Sequence, residues 1–228
     1  GGITDSSNLS ATGNVTLNDV ATAGITLDTL EADANVILTA AGNTAITNDA
    51  ALALQGAVTG TLAATATTGD ITDSDTLTVS GASVFTLGAD GSNISLDSAA
   101  NAFSGAVTLK AGSSGIQTFG NIVFVDSGAI DFDSAASADG DLFLDGGTDN
   151  TVGGTLSVTA TAGGITDSAT IAVTGDLTLN DVATAGITLD TLEADANVIL
   201  TAAGNTAITN DAALALQGAV TGTLAATA

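Results

Sequence analysis

The sequence has no cysteine, proline, histidine, tyrosine, tryptophan or methionine, and its 228 residues include a single basic side chain, Lys110. Without cysteine there is neither a disulfide framework nor a thiolate metal site. Without proline nothing interrupts the hydrogen-bond ladder of a strand paired on both edges. Histidine, cysteine and tyrosine are the usual sources of a base or nucleophile near neutral pH, so serine-hydrolase chemistry is excluded. A carboxylate pair of the glycosidase kind is formally open. Cleavage of acidic sugars calls for basic groups at the substrate, which one lysine does not supply, and the chain is expected not to be an enzyme.

Charge and hydropathy exclude further classes. Twenty-five acidic residues give a net charge of −24, which repels nucleic acid and anionic lipid. No apolar run reaches the length of about 18 residues that crosses a bilayer as a helix, so no membrane insertion is expected. Lys, Arg, Glu and Gln, which cover the outer faces of helical bundles, are scarce while alanine and aliphatic residues abound. Strands are the remaining choice.

What is present is repetition. Thr16–Ala66 returns letter for letter as Thr178–Ala228, an offset of 162 residues. The motif Ile3-Thr4-Asp5-Ser6 recurs at Ile71-Thr72-Asp73-Ser74 and Ile165-Thr166-Asp167-Ser168, each followed by alternating apolar residues and a glycine exit. The chain is expected to form one continuous array over 1–228, with sub-blocks 1–68, 69–162 and 163–228, and to belong to a longer periodic polymer.

Isoleucines and leucines that follow a Gly, Ala or Asn turn mark finer divisions at Ile3, Ile25, Ile46, Ile71, Ile94, Ile116, Leu142 and Ile165. Seven intervals over that span average about 23 residues, one coil of three short strands. Alternation places Val15, Leu17, Ile25, Leu27, Val36, Leu38, Leu52, Leu54, Val107, Leu109, Ile130 and Phe132 inward, with Thr, Ser, Asn and Asp between them. Stacked at about 4.8 Å, about ten such coils make an all-β parallel β-helix, a β-solenoid, about 48 Å long. A competing helix over 30–41 is rejected because Val36-Ile37-Leu38-Thr39 reads as strand. All six phenylalanines fall between 85 and 143, which indicates a wider core there. Phe143 alternates with Leu142 and Leu144, so it faces out as a contact point unless the register there is reversed.

The densest acidic run is Asp131, Asp133, Asp139, Asp141, Asp145 and Asp149. Asp131, Asp133, Asp141 and Asp145 are the candidate calcium ligands, since hard cations take several oxygens, with a solvated outer face as the competing reading. No EF-hand loop or glycine-rich nonapeptide is present, and no cofactor is required. Along the whole rod the net charge amounts to about one per 2 Å, a density comparable to duplex DNA that must collect counter-ions.

Gly1-Gly2-Ile3-Thr4-Asp5-Ser6, the stretch Asn101-Ala102-Phe103-Ser104-Gly105-Ala106-Val107-Thr108-Leu109 and the Thr/Ala-rich segments before each motif resemble the repeat regions of filamentous-haemagglutinin-like exoproteins and autotransporter passengers of bacteria. The resemblance implies a right-handed β-helix, secretion across an outer membrane and an extracellular life at the cell surface or in a secreted fibre. It carries over no functional residue: the family's secretion domain with Asn-Pro motifs is absent, and an Arg-Gly-Asp motif is impossible without arginine. The expected role is a structural stalk or filament segment of a surface adhesin, whose partners are neighbouring copies end to end. The alternative is a module binding cations or surface glycans through its acidic face. An ice-binding surface would need regular threonine ladders, and the threonines here are too irregular.

Overall fold

In the computed structural model, which describes residues 1–112, 118–145 and 151–228, every regular element is a strand and every strand pairing is parallel. No helix is long and apolar enough to cross a membrane among the described residues. The segment rejected as a helix is strand on both sides of a bend, Ile25–Ala32 and Asn35–Ala40. Successive turns stack as a parallel β-solenoid with two principal sheets.

The first sheet stacks, in spatial order, Ile3–Thr4, Ile25–Ala32, Thr44–Asn48, Leu62–Ala66, Ser83–Leu87, Val107–Ala111, Asp141–Asp145, Ile130–Phe132, Ile165–Asp167 and Ile187–Ala194, then Thr206–Asn210 and Leu224–Thr227. The second stacks Val15–Asp19, Asn35–Ala40, Leu52–Val58, Ile71–Val79, Ile94–Leu96, Ile122–Asp126, Leu156–Ala160, Leu177–Asp181, Asn197–Ala202 and Ala215–Val220. Short strands such as Leu9–Ala11 and Ile171–Val173 form a third side where the chain turns between the two.

Alternation decides what enters the core. All twelve residues expected to face inward are buried. Like sits over like: Val15 over Val36 and Leu17 over Leu38, then Ile94 over Ile122 and Leu96 over Phe124. Each fully buried aliphatic or phenylalanine side chain contributes about 1.5–3 kcal/mol by leaving water. The widened middle is filled by rings, with Phe85 edge-on to Phe103 at 5.9 Å and Phe103 stacked on Phe124 at 5.4 Å. Phe143 is the half-buried exception on the outward face of its strand, as the alternation predicts.

Coil length is less even than the marker residues imply. Val36 pairs with Leu54, 18 residues on, and Ser83 with Val107, 24 on, whereas Ile122 pairs with Leu156, 34 on. A spacing near 21 describes the regular coils, and two long ones raise the mean to the expected 23. The marker list also mixes faces. Ile46 belongs to the first sheet, stacked between Leu27 and Ala64, while Ile71 and Ile94 open strands of the second, over Leu52. Thr44 occupies the position over Ile25 that an isoleucine was expected to mark. Ile116 lies outside the described residues.

One strand is out of chain order. Asp141–Asp145 follows Ile130–Phe132 in the chain but lies between it and Val107–Ala111 in the sheet. Among the described residues the first sheet therefore takes eight steps from Ile3–Thr4 to Ile165–Asp167, where the second takes seven from Val15–Asp19 to Leu177–Asp181.

Candidate functional site

The recurring Ile-Thr-Asp-Ser motif acquires a function from the way coils bend. Where a strand rounds a corner its pairing slips, as between Leu27 and Leu30, and the lifted backbone loses its ladder partners. Asp5 supplies them, its two carboxylate oxygens accepting the Asp28 N–H at 3.2 Å and the Thr29 N–H at 2.9 Å from the next coil. Asp167 does the same for Asp190 and Thr191, both at 2.9 Å. Asp73 does so for Asp97 and Ser98, also both at 2.9 Å, although its strand lies in the other sheet. The acidic residue of the motif is thus an inter-coil clamp built from charge-assisted hydrogen bonds.

Amides complete the work elsewhere. At the entry to second-sheet strands, the Asp70 side chain accepts the Asn93 N–H, Asn93 accepts the Asn121 N–H and Asn121 accepts the Thr155 N–H, at 2.8, 2.7 and 2.9 Å. The buried Asn48 accepts the Ala32 N–H at 2.8 Å and donates to the Ala51 carbonyl at 2.7 Å. Asn210 repeats the bond to Ala194 at 2.8 Å. Sequence reasoning treated the motif as a strand marker and passed over these side chains. The usable signal was an Asp or Asn recurring at a fixed place within each coil.

The four candidate calcium ligands are placed as follows. Asp131 accepts from the Thr166 and Ser168 hydroxyls, at 2.9 and 2.6 Å, and Asp133 from the Ser134 N–H at 2.5 Å. Asp141 turns onto the 137–138 bend, accepting the Ser137 and Ala138 N–H groups at 2.9 and 2.5 Å. Asp145 pairs with Lys110 at 2.5 Å. The structure assembles no group of three or more acidic residues able to hold a metal among the described residues. Asp149 lies outside them.

Two open grooves recur one 162-residue period apart. One, of about 290 Å³, runs beside Asp28, Glu31 and Asp49, with Leu30 at its floor. Its counterpart, of about 240 Å³, runs beside Asp190, Glu193 and Asp211 over Leu192. Both sit where the bulge lifts the corner strand. Their acidic lining adds to the outer charge.

Two carboxylates are shifted in opposite directions. The Thr29 N–H, with the Thr29 hydroxyl and the Asp28 N–H, holds the exposed Asp5 below the ordinary carboxyl range. Burial pushes Asp126 up, against the Phe103 N–H it accepts at 2.9 Å. A depressed carboxyl contributes stability that is lost as pH falls through its folded value; a raised one is favoured in its protonated form, so its environment gains stability as pH falls toward the unfolded value. Stability is expected to rise on mild acidification and to fall in stronger acid, where the Asp5 clamp protonates. Urea midpoints of Asp126→Asn test the first half: at pH 7 the variant should match or exceed the parent, and its gain between pH 7 and 5 should shrink. An unchanged gain would show that relief of overall charge, and not Asp126, is responsible.

Residues 41–110 and 119–202, about two thirds of the chain, match a family described as repeats of unknown function (DUF5649). The chain belongs to that family. No curated protein and no solved structure matches it. The DUF5649 segments include the clamps at Asp73 and Asp167, the out-of-order strand and the candidate acidic quartet.

Proposed function

We propose that this DUF5649 chain is a structural segment, a stalk or filament of a secreted bacterial cell-surface protein, in which stacked coils supply length and stiffness. The observation that carries the reading is the use made of the repeated acidic motif. At Asp5, Asp73 and Asp167 the carboxylate is spent on the backbone of the next coil, so what recurs in the sequence is coil-to-coil attachment. The resemblance to filamentous-haemagglutinin-like and autotransporter exoproteins supports an extracellular setting, and the charge keeps neighbouring rods from adhering side by side. End-to-end contact is the geometry left to them.

Electron microscopy of the intact protein tests the reading. A uniform fibre is expected, lengthening by about 34 Å for each 162-residue unit, from seven coils at about 4.8 Å. A compact particle, or a length independent of unit number, would overturn it.

A further inference from the structure

The out-of-order strand makes one level of the rod unlike the others. Between Val107–Ala111 and Ile130–Phe132 the first sheet takes two steps, because Asp141–Asp145 lies between them. At the same level the second sheet takes one, from Ile122–Asp126 to Leu156–Ala160. The extra rung adds about 4.8 Å of rise on one side, with the opposite ladder as the fulcrum.

The two faces of the inserted strand are held unequally. Toward Val107–Ala111 it has four register pairs and the Lys110–Asp145 ion pair. Toward Ile130–Phe132 it has two pairs, Asp131 with Asp141 and Phe132 with Leu142. Three other two-pair contacts are reinforced by a carboxylate: Ile3–Thr4 by the Asp5 clamp, Ile165–Thr166 by Asp167, Ile94–Ser95 by Asp73. Here the nearest carboxylates are committed away from the seam, Asp131 to Thr166 and Ser168, Asp141 to Ser137 and Ala138. A cavity of about 10 Å³ lies beside the seam, bounded by Phe103, Phe124, Asp126, Gly140 and Asp141. The fulcrum is strong by comparison, five consecutive pairs from Ile122–Leu156 to Asp126–Ala160.

We infer that the seam between Ile130–Phe132 and Asp141–Asp145 is a joint, at which the rod flexes by opening on the first sheet about the Ile122–Asp126 and Leu156–Ala160 ladder. The inference is independent of the filament reading, since a joint in a rod of any purpose has the same mechanics.

The chain has no cysteine, so paired spin labels report on the joint without background. Labels at Ala63→Cys and Thr188→Cys occupy exposed positions on the first sheet, six steps apart across the seam. Labels at Ala57→Cys and Thr201→Cys occupy exposed positions on the second, also six steps apart, so each pair spans about 29 Å. The first-sheet pair should give a distance distribution at least about twice as broad as the second-sheet pair. Backbone amides at 130–132 and 141–145 should exchange about tenfold faster than those at 122–126. Equal widths with uniform protection would overturn the joint, and so would two equally broad distributions, which mean bending spread along the whole rod.

Discussion

Replacing Gly56 with valine is expected to cost about 3 kcal/mol or more, and to break the stack in the middle of the second sheet. Gly56 has φ of 111°, a conformation that side chains avoid, inside the Leu52–Val58 strand. A Cβ there would stand 2.1 Å from the Leu38 carbonyl oxygen of the preceding coil, a backbone atom held in its own ladder. On the other side the strand pairs with Ile71–Val79 through an irregular register, so it cannot retreat without opening that contact as well. Two variants separate the contributions. Gly91 also has positive φ, 72°, but open space around it, so Gly91→Ala should cost only the conformational penalty of about 1 kcal/mol. Gly218 is the exact repeat of Gly56, with a Cβ position 1.9 Å from the Leu200 oxygen, but among the described residues of the 228-residue chain its strand pairs with one neighbour. Gly218→Val should release that last strand and leave the remaining coils protected. Hydrogen exchange distinguishes the outcomes: protection lost on both sides of residue 56 in one case and only beyond residue 202 in the other. Equal, local effects at both glycines would show that coils do not depend on their neighbours.

The unequal cost at two identical glycines reflects how a solenoid stores its stability. Each coil contacts only the next, so the energy is a sum of interfaces, and a residue is worth more where it belongs to two of them. The same logic explains what could be read from the chain. Inward positions such as Val15, Leu17, Ile130 and Phe132 were legible because burial in a strand depends on alternation alone, a local property. The outward place of Phe143 was legible for the same reason. Assignment of coils to faces was not. Ile3 and Ile71 open the same four-residue motif yet lie in different sheets, because the motif encodes a corner with a clamp and says nothing of which corner. Spatial order at Asp141–Asp145 was hidden too. Its alternating apolar residues resemble any other rung, and the short polar segment before it reads as an ordinary turn, so nothing local distinguishes stepping forward from stepping back. The four candidate calcium ligands, close in sequence, lie in successive strands and bends, and their side chains answer to different partners.

If the clamps join coils, Asp73→Ala should rank with the glycine substitution despite removing a partly exposed side chain. The Asp73 carboxylate accepts the Asp97 and Ser98 N–H groups and also the Asn101 amide, at 2.6 Å. Asn101 is fully buried and turns its own oxygen to the Leu77 N–H at 2.8 Å, while its backbone carbonyl accepts from Ser127 one coil further on. One carboxylate thus supports a chain of bonds across three coils, and its loss strands a buried amide donor as well as two backbone donors. The expected cost is about 2–4 kcal/mol, from charge-assisted bonds at about 1.5–3 kcal/mol and the penalty for an unpaired buried group. Asp73→Asn discriminates between charge and geometry. Its single carbonyl can keep one N–H, but its amide meets the Asn101 amide donor-to-donor, so the variant should recover less than half of the loss. The Asp5→Ala clamp has no buried amide behind it, and its loss should move the urea midpoint far less than that of Asp73. Urea midpoints for the three variants decide the matter: equal values for Asp5→Ala and Asp73→Ala would mean that the carboxylates are surface decoration and that packing alone holds one coil to the next.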